Sequence, residues 1–550
     1  MKYQLISGKE FRQSVMTIGE HDSFCDKDVV KLEFTDEVAP RETKLTDLSN
    51  DRDGSIVGWK EDGVYKVSTQ KKGQKVIFNE DCRGMFEYAY YGETYRKIFK
   101  EIDFAMIDTS QATDMSQMFY NCTYLKDLDL NNFDTSRVEN MIGMFQHCKN
   151  LQKLVLTHFN TSNVRDMGLM FTNCHRLKKL DLSIFDTSNV TNMNGMFYGC
   201  HDLKKLNLSN FNTSKVTDMD GLFFGCWQLD TLDLSSFDTS NVKNMHFMFD
   251  MCLSLTTLDL GHFDTSKVEN MNNMFDGCFY LKELDLHNFD TSQVVDMNGM
   301  FCGCESLRKL DLSGFDTSQV EDMSGMFNNC SNLTYLDIRS FNISQVKYMH
   351  YMFFDCKNLK ELDLHNFDTR QVVDMNGMFC GCESLRKLDL SGFDTSKVED
   401  MHEMFAFCKN LRELNLSTFD TSKVKDMGYM FTRCKNLKEL DLNGFDTSNV
   451  KNMESMFDDC KNLEKLDLSS FNISRIISIN GVFSNCEKLD CLKTTNKQIK
   501  KMYEERLENY QNEVHPNIDF KKLKMDKTNE LDAKEFECLG EIYNDDDLPF

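Results

Sequence analysis

Residues 393–418 read FDTSKVEDMHEMFAFCKNLRELNLST, and their spacing decides the fold. Leu411, Leu414 and Leu416 form L-x-x-L-x-L, whose last two leucines alternate with polar residues and predict a short strand. Val398, Met401, Met404, Phe405 and Cys408 fall at spacings of 3, 3, 1 and 3, which predicts a short helical turn on the opposite side. Phe393 opens the connection between the two. Nine of the 26 positions therefore point inward, more than one isolated unit can bury.

Working outward, the same sentence recurs along most of the chain. Cysteines fall at Cys122, Cys148, Cys174, Cys200 and onward to Cys486, fifteen in all and always 26 residues apart. Fifteen units run without insertion from Ile107 to Asn496. Fixed repeat columns hold 27 of the 34 Met and 29 of the 44 Phe, which accounts for an otherwise odd composition. A 26-residue period lies in the ~20–29 window of leucine-rich repeats. Neighbouring units can bury each other's apolar faces, so the expected fold is an α/β repeat with stacked parallel strands and a quasi-one-dimensional core.

The repeat replaces the three or four domains that a length of 550 would otherwise suggest at about 150 residues each. The 63 basic and 88 acidic residues leave a formal charge of −25. That field repels nucleic acid and anionic lipid, and attracts cations or a basic partner. No run approaches the ~18 apolar residues of a membrane span. The opening MKYQLISGKEFRQSV lacks the ~7–15-residue apolar stretch of a secretory signal.

Two columns carry chemistry-bearing side chains whose reading is structural. The position after each Phe is always Asp or Asn, from Asp134 and Asn160 to Asn472. A catalytic or metal-binding carboxylate would not exchange freely with an amide. Both residues offer a side-chain oxygen to a backbone N–H at a turn. In the Cys column each thiol has two equivalent neighbours and fifteen cannot pair evenly, so buried reduced thiols are expected rather than a disulfide framework.

These residues resemble the BspA-like leucine-rich-repeat surface proteins, whose repeat reads much like F-D-T-S-x-V-x-x-M-x-x-M-F-x-x-C-x-x-L-x-x-L-D-L. The match covers residues 107–496. The resemblance implies a right-handed solenoid and a non-enzymatic, adhesin-like protein-binding surface outside the cell. The lack of a visible signal, lipid-accepting Cys or wall-sorting tail makes a cytoplasmic interaction scaffold the alternative. A monomer without cofactor or metal is expected.

Four segments follow from the pattern. Residues 1–53 form a charge-rich head without a period. Residues 54–106 hold a hairpin, with Ile56–Trp59 and Val64–Val67 flanking Lys60-Glu61-Asp62-Gly63, and then an atypical capping coil around Cys82, Phe86, Phe99, Ile102 and Phe104. Residues 107–496 are the repeats. In residues 497–550, Ile499, Met502, Tyr503, Leu507 and Tyr510 predict an amphipathic helix ending before Pro516, a cap for the last unit, followed by the acidic tail ECLGEIYNDDDLPF.

No Walker loop, nucleophile elbow, H-E-x-x-H or C-x-x-C occurs, and the twelve His read as scattered. Asp51-Arg52-Asp53-Gly54 fails as a calcium loop, because the twelfth position is Lys60 instead of a bidentate Glu. Cys302-Gly303-Cys304 and Cys380-Gly381-Cys382 are one observation. Residues 281–323 and 359–401 match at 41 of 43 positions, so they are copies three units apart.

Function is then sought where units differ. The position after the column Cys is commonly Lys, but three successive units carry Trp227, Leu253 and Phe279, with Phe224, Met251 and Tyr280 close by. Stacking would gather these six into an apolar patch, the expected site for a protein ligand. The alternative surface is the strand face, where Asp233, Asp259, Asp285 and Asp311 recur among Lys and Glu.

Overall fold

The computed structural model describes residues 2–16, 29–88 and 99–514, with side chains to residue 506. Leu507 and Tyr510 (as side chains), Pro516 and the acidic tail lie outside the described residues. The chain divides into two compact units, residues 1–284 and 285–550.

The first unit opens with α1 (Gly8–Phe11), capped by Ser7 and Glu10, each side chain bonding the other's backbone N–H. A sheet then forms from β1 (Lys31–Thr35), β2 (Thr46–Asp47), β3 (Val57–Glu61), β4 (Val64–Ser68) and β6 (Glu101–Asp103) in the order β2-β3-β4-β1-β6. β3 and β4 are the antiparallel hairpin, and β1 pairs parallel with both β4 and β6. Strands from the unpatterned head thus share one sheet with the hairpin. The short β5 (Val76–Ile77) pairs with β7 (Ile107–Asp108), which begins the repeats.

The later coils repeat one geometry in both units, although the coils of Leu232 and Leu362 form no strand. Strand leucines pair in parallel at an offset of 26: Leu128 with Leu154 and Leu180 with Leu206 in the first unit, Leu310 with Leu336 and Leu388 with Leu414 in the second. The Val, Met, Phe, Cys and outer Leu columns are buried almost without exception. Rings of the Phe column stack coil on coil, as in Phe145 on Phe171 (5.5 Å between centroids, 9°) and Phe405 on Phe431 (5.6 Å, 6°). Offset rings at this spacing add to the energy of burial.

The helical turn expected opposite the strand does not form. Among the described residues the α-helices are α1 and α2 (Lys497–Val514), besides a five-residue π-turn after α1. The segment alternates two kinds of bond instead. In the coil of Met401, the N–H groups of Met404, Ala406 and Cys408 close local turns onto Met401, Glu403 and Phe405. The N–H groups of Met401, Glu403, Phe405 and Phe407 reach forward to carbonyls of the next coil at 2.7–3.0 Å. Glu403 and Phe407 take positive φ (56° and 60°) to allow this, and Gly377 and Gly381 fill the same two columns one coil earlier. The apolar spacing of a helix is therefore produced by stacked turns that bond between coils.

Three side-chain ladders complete the coil. Thr395 Oγ1 donates to the Asp420 carbonyl at 2.9 Å, while the Asp394 N–H donates back to Thr369 Oγ1 at 2.8 Å, so a buried Thr column stitches most coils to the next, Ile343 and Ile473 being the exceptions. The Asp/Asn column accepts the N–H two residues on, as Asp134 does from Ser136 and Asn160 from Ser162. The column cysteines are free and buried, and their thiols donate to Phe carbonyls of the preceding coil, Cys408 to Phe379 at 3.2 Å, and Cys122 to Phe86 across the longer first coil at 3.1 Å. Burial pushes the thiols of Cys200 and Cys408 up to about 12. Cys491, outside the column, is disulfide-bonded.

At the far end of the second unit, Ile499 and Tyr503 of α2 are buried against the last coil. The Tyr503 hydroxyl donates to the Leu489 carbonyl at 3.2 Å, and the Arg506 guanidinium donates to the carbonyls of Cys486 and Leu489.

Candidate protein-binding surface

The apolar residues singled out by sequence all lie in the first unit, on the turns that follow the Phe and Cys columns. Trp227, Met251 and Tyr280 are exposed, Tyr280 the most at 60%, whereas Phe224, Leu253 and Phe279 are half-buried. The indole of Trp227 lies flat on the His201 imidazole, 3.6 Å between centroids and 5° from parallel. His201 in turn stacks on His175 at 4.3 Å. Beside this file, Phe224 stacks on Tyr198 at 4.2 Å and meets Phe247 edge-on. Met251 packs over Gly277, where a Cβ would come within 2.8 Å of its sulfur.

The ring file extends further back than the sequence pattern suggested, because His175 and His201 occupy the same post-Cys column as Trp227. They are not scattered. Burial, reinforced by neighbouring His and Lys, holds His175 down to about 4, and burial also lowers His201, so both rings stack as neutral imidazoles. His246, His350 and His402 likewise share the position after the first Met. Hydrogen bonds to Asp426 and Glu403 raise His402 to about 10.

In most other coils the same two columns are polar, and many are stitched, Tyr124 being an exposed aromatic exception. Two residues after the Cys, Asn150, Asn332, Asn358, Asn410 and Asn462 donate to a carbonyl of the preceding coil at 2.7–2.9 Å. In the second unit the post-Cys column pairs by charge, Lys409 with Glu383 at 2.8 Å and Lys461 with Glu487 at 2.6 Å. Across the ring file those Asn positions become Arg176, Asp202, Gln228, Ser254 and Tyr280. Stacked rings there take over from the amide and charge ladders.

A buried acid underlies this surface that sequence reasoning missed. Asp250 is 4% exposed, and its Oδ1 has no hydrogen-bond partner among the described residues. Burial, with Asp276 of the next coil adding its charge, raises this carboxyl to about 8. The signal was available in the column two before the Cys, where Phe224 is followed by two consecutive acids, Asp250 and Asp276.

The strand-face aspartates are exposed, and each is engaged by its own turn. Asp233 accepts from the Ser235 N–H (3.0 Å) and Asp259 from Gly261 (3.1 Å) in the first unit. In the second unit Asp285 accepts from the His287 N–H (3.1 Å) and Asp311 from Ser313 (3.0 Å). These bonds lower Asp233, and the His287 side chain, 2.7 Å away, does most to lower Asp285. Asp337 departs from the pattern: it is buried, held by Nε and Nη2 of Arg339 at 3.0 and 2.6 Å, and lowered to about 2 by that bond. Among the described residues, no group of three or more His, Cys, Asp or Glu is placed to hold a metal ion, and no helix is long and apolar enough to cross a membrane.

A 26-residue coil with a parallel leucine strand and stacked inward columns defines a strand-dominated protein of the leucine-rich-repeat class. The chain belongs to the family described as "Mycoplasma protein of unknown function, DUF285", whose model matches residues 80–204, 170–283, 254–361, 277–388, 332–417 and 408–515. No curated protein matches. Among solved structures the chain is similar to a leucine-rich cell surface protein of Faecalibacterium prausnitzii A2-165 (16% identity, 82% of this chain and 96% of that one, TM-score 0.27). It is also similar to a leucine-rich-repeat protein of Eubacterium ventriosum ATCC 27560 (16% identity, 72% and 90%, TM-score 0.27).

Proposed function

We propose that the chain is a non-enzymatic, adhesin-like scaffold that binds a protein ligand, built as a right-handed leucine-rich-repeat solenoid of the BspA-like kind. In this reading the head and hairpin close one end, α2 closes the other, and the scaffold is a monomer displayed at the cell surface. The ligand docks on the first unit at Phe224, Trp227, Met251, Leu253, Phe279 and Tyr280. One observation carries the site: where other coils are stitched by Asn and ion pairs, these coils present stacked rings with Trp227 exposed. Rigid aromatic side chains are the residue type that dominates interface energetics.

Two experiments test the reading. Surface protease treatment of intact cells followed by fractionation should degrade the chain, whereas full protection would place it inside. The purified full chain, immobilised and screened against purified extracellular and surface proteins, should retain a protein ligand. Retention of none would remove the function. The intracellular alternative rests on the free, buried Cys column, which a reducing compartment would preserve.

A further inference from the structure

The last coil of the second unit, residues 478–486, ends a set of hydrogen-bonded rows that all point one way. Four N–H groups per coil donate forward, starting with Met297 to the Asp322 carbonyl at 3.1 Å. The rows finish with Met453, Ser455, Phe457 and Asp459 donating to Ser478, Asn480, Val482 and Ser484 at 2.8–3.1 Å. The next four donors in line are the N–H groups of Ile479, Gly481, Phe483 and Asn485, and they meet no acceptor among the described residues. Because each row is a chain of aligned peptide groups, its dipoles add as they do along a helix and leave partial positive charge at this edge.

The described part of α2 meets that coil through Tyr503, whose ring lies edge-on to Phe483 and whose hydroxyl donates to the Leu489 carbonyl, and through Arg506, which donates to the Cys486 and Leu489 carbonyls. On the turn side Ile477 is 84% exposed. These four donors cannot pair with the same four donors of a copy, and the row beside them runs the other way, the Ile477 N–H donating back to the Lys451 carbonyl at 2.7 Å. At the acceptor edge of this chain, in the first unit, one carbonyl is met: the Gly8 N–H donates to the Asp81 carbonyl at 2.8 Å, and a Cβ on Gly8 would fall 2.7 Å from the Arg83 carbonyl oxygen. The start of α1 thus stands against the acceptor edge, where a stacked copy would have to sit.

We propose that residues 541–550 of this chain, EIYNDDDLPF, dock along the turn side of residues 478–486 and offer carboxylate and carbonyl oxygens to the four free N–H groups. Charge selects this stretch. Glu541, Asp545, Asp546 and Asp547 fall within it with no Lys or Arg, whereas residues 515–540 carry five Lys. Leu548 and Phe550 supply apolar partners for Ile477. The residues between α2 and this stretch can span up to about 86 Å when extended, ample to reach from the end of the helix. Covering the edge also removes a template for unwanted chain pairing.

Residue-resolved hydrogen exchange on the full chain and on a chain ending at Gly540 tests this. Removing the last ten residues should speed exchange at Ile479, Gly481, Phe483 and Asn485 by about tenfold or more, while Met401 and Phe405 in the same rows stay unchanged. Combining Asp545→Asn, Asp546→Asn and Asp547→Asn should give a smaller change in the same direction. Equal rates at the four amides in the full and shortened chains, whether fast or slow, would overturn the proposal. Protection that disappears on dilution would overturn it too, since the segment would then come from a second copy.

Discussion

Trp227 and His201, 26 residues apart, lie ring on ring at 3.6 Å, a contact in which each residue takes the place that a polar side chain holds in most other coils. Burial under such neighbours is what lowers the His201 imidazole. Trp227→Ala should therefore move the His201 titration up toward its ordinary value of about 6.5, followed by NMR of the ring protons. The lost stack should cost about 1 kcal/mol without unfolding the protein. An unmoved His201 would mean that the indole contributes nothing to its burial.

Asp250 makes the first unit lose stability as pH rises from about 4 to about 8. Its carboxyl holds a proton more tightly folded (about 8) than its ordinary value of 3.8. Its contribution to stability is thus full below pH 3.8 and is lost as pH rises through about 8. Asp250→Asn should raise the melting temperature at pH 8 and flatten its decline between pH 5 and 8. Parallel curves for the two proteins would rule out Asp250 as the source.

The thiol column gives a chemical test. The fifteen column cysteines should resist a thiol reagent in the native protein and react once it is denatured. Cys408→Ala should cost about 1–2 kcal/mol, since it empties a packed site and removes the thiol bond to the Phe379 carbonyl. Peptide mapping that found the column largely disulfide-linked would contradict both statements.

Register is the condition for every ladder described. Deleting residues 289–366, three whole units, should leave a shorter folded protein because Phe367 takes the place of Phe289. Deleting 13 residues should break the 26-residue pairing and unfold the coils around the cut. Circular dichroism and proteolysis would separate the two; equal damage would count against coil stacking. Thr395→Val should be milder, about 1 kcal/mol, since the chain itself carries Ile343 and Ile473 in that column.

Much of this architecture was legible from one unit. The L-x-x-L-x-L strand, the buried Met, Phe and Cys columns and the turn-forming Asp/Asn column follow from spacing and side-chain chemistry. The helical turn did not, because spacings of 3, 3, 1 and 3 suit a helix and equally suit turns whose partners lie in the next coil. Glycine was the missed signal: Gly195 and Gly199, or Gly377 and Gly381, mark two positive-φ columns that no helix interior needs. The buried Thr column was hidden for a similar reason, its hydroxyl bonds being visible only between coils. At the binding surface, Trp227 stood out as an exception to Lys. The imidazoles beneath it and the acid at Asp250 did not, since polar residues give no hint of burial until coils are stacked.

The most direct measurement is the affinity of the protein ligand for a double variant, Trp227→Lys with Phe279→Lys, which restores the commonest residue of that column. The variant should stay folded and lose at least about 2 kcal/mol of binding, roughly thirtyfold in Kd. Unchanged affinity in a folded double variant would contradict the account and turn attention to the strand face that carries Asp233, Asp259, Asp285 and Asp311.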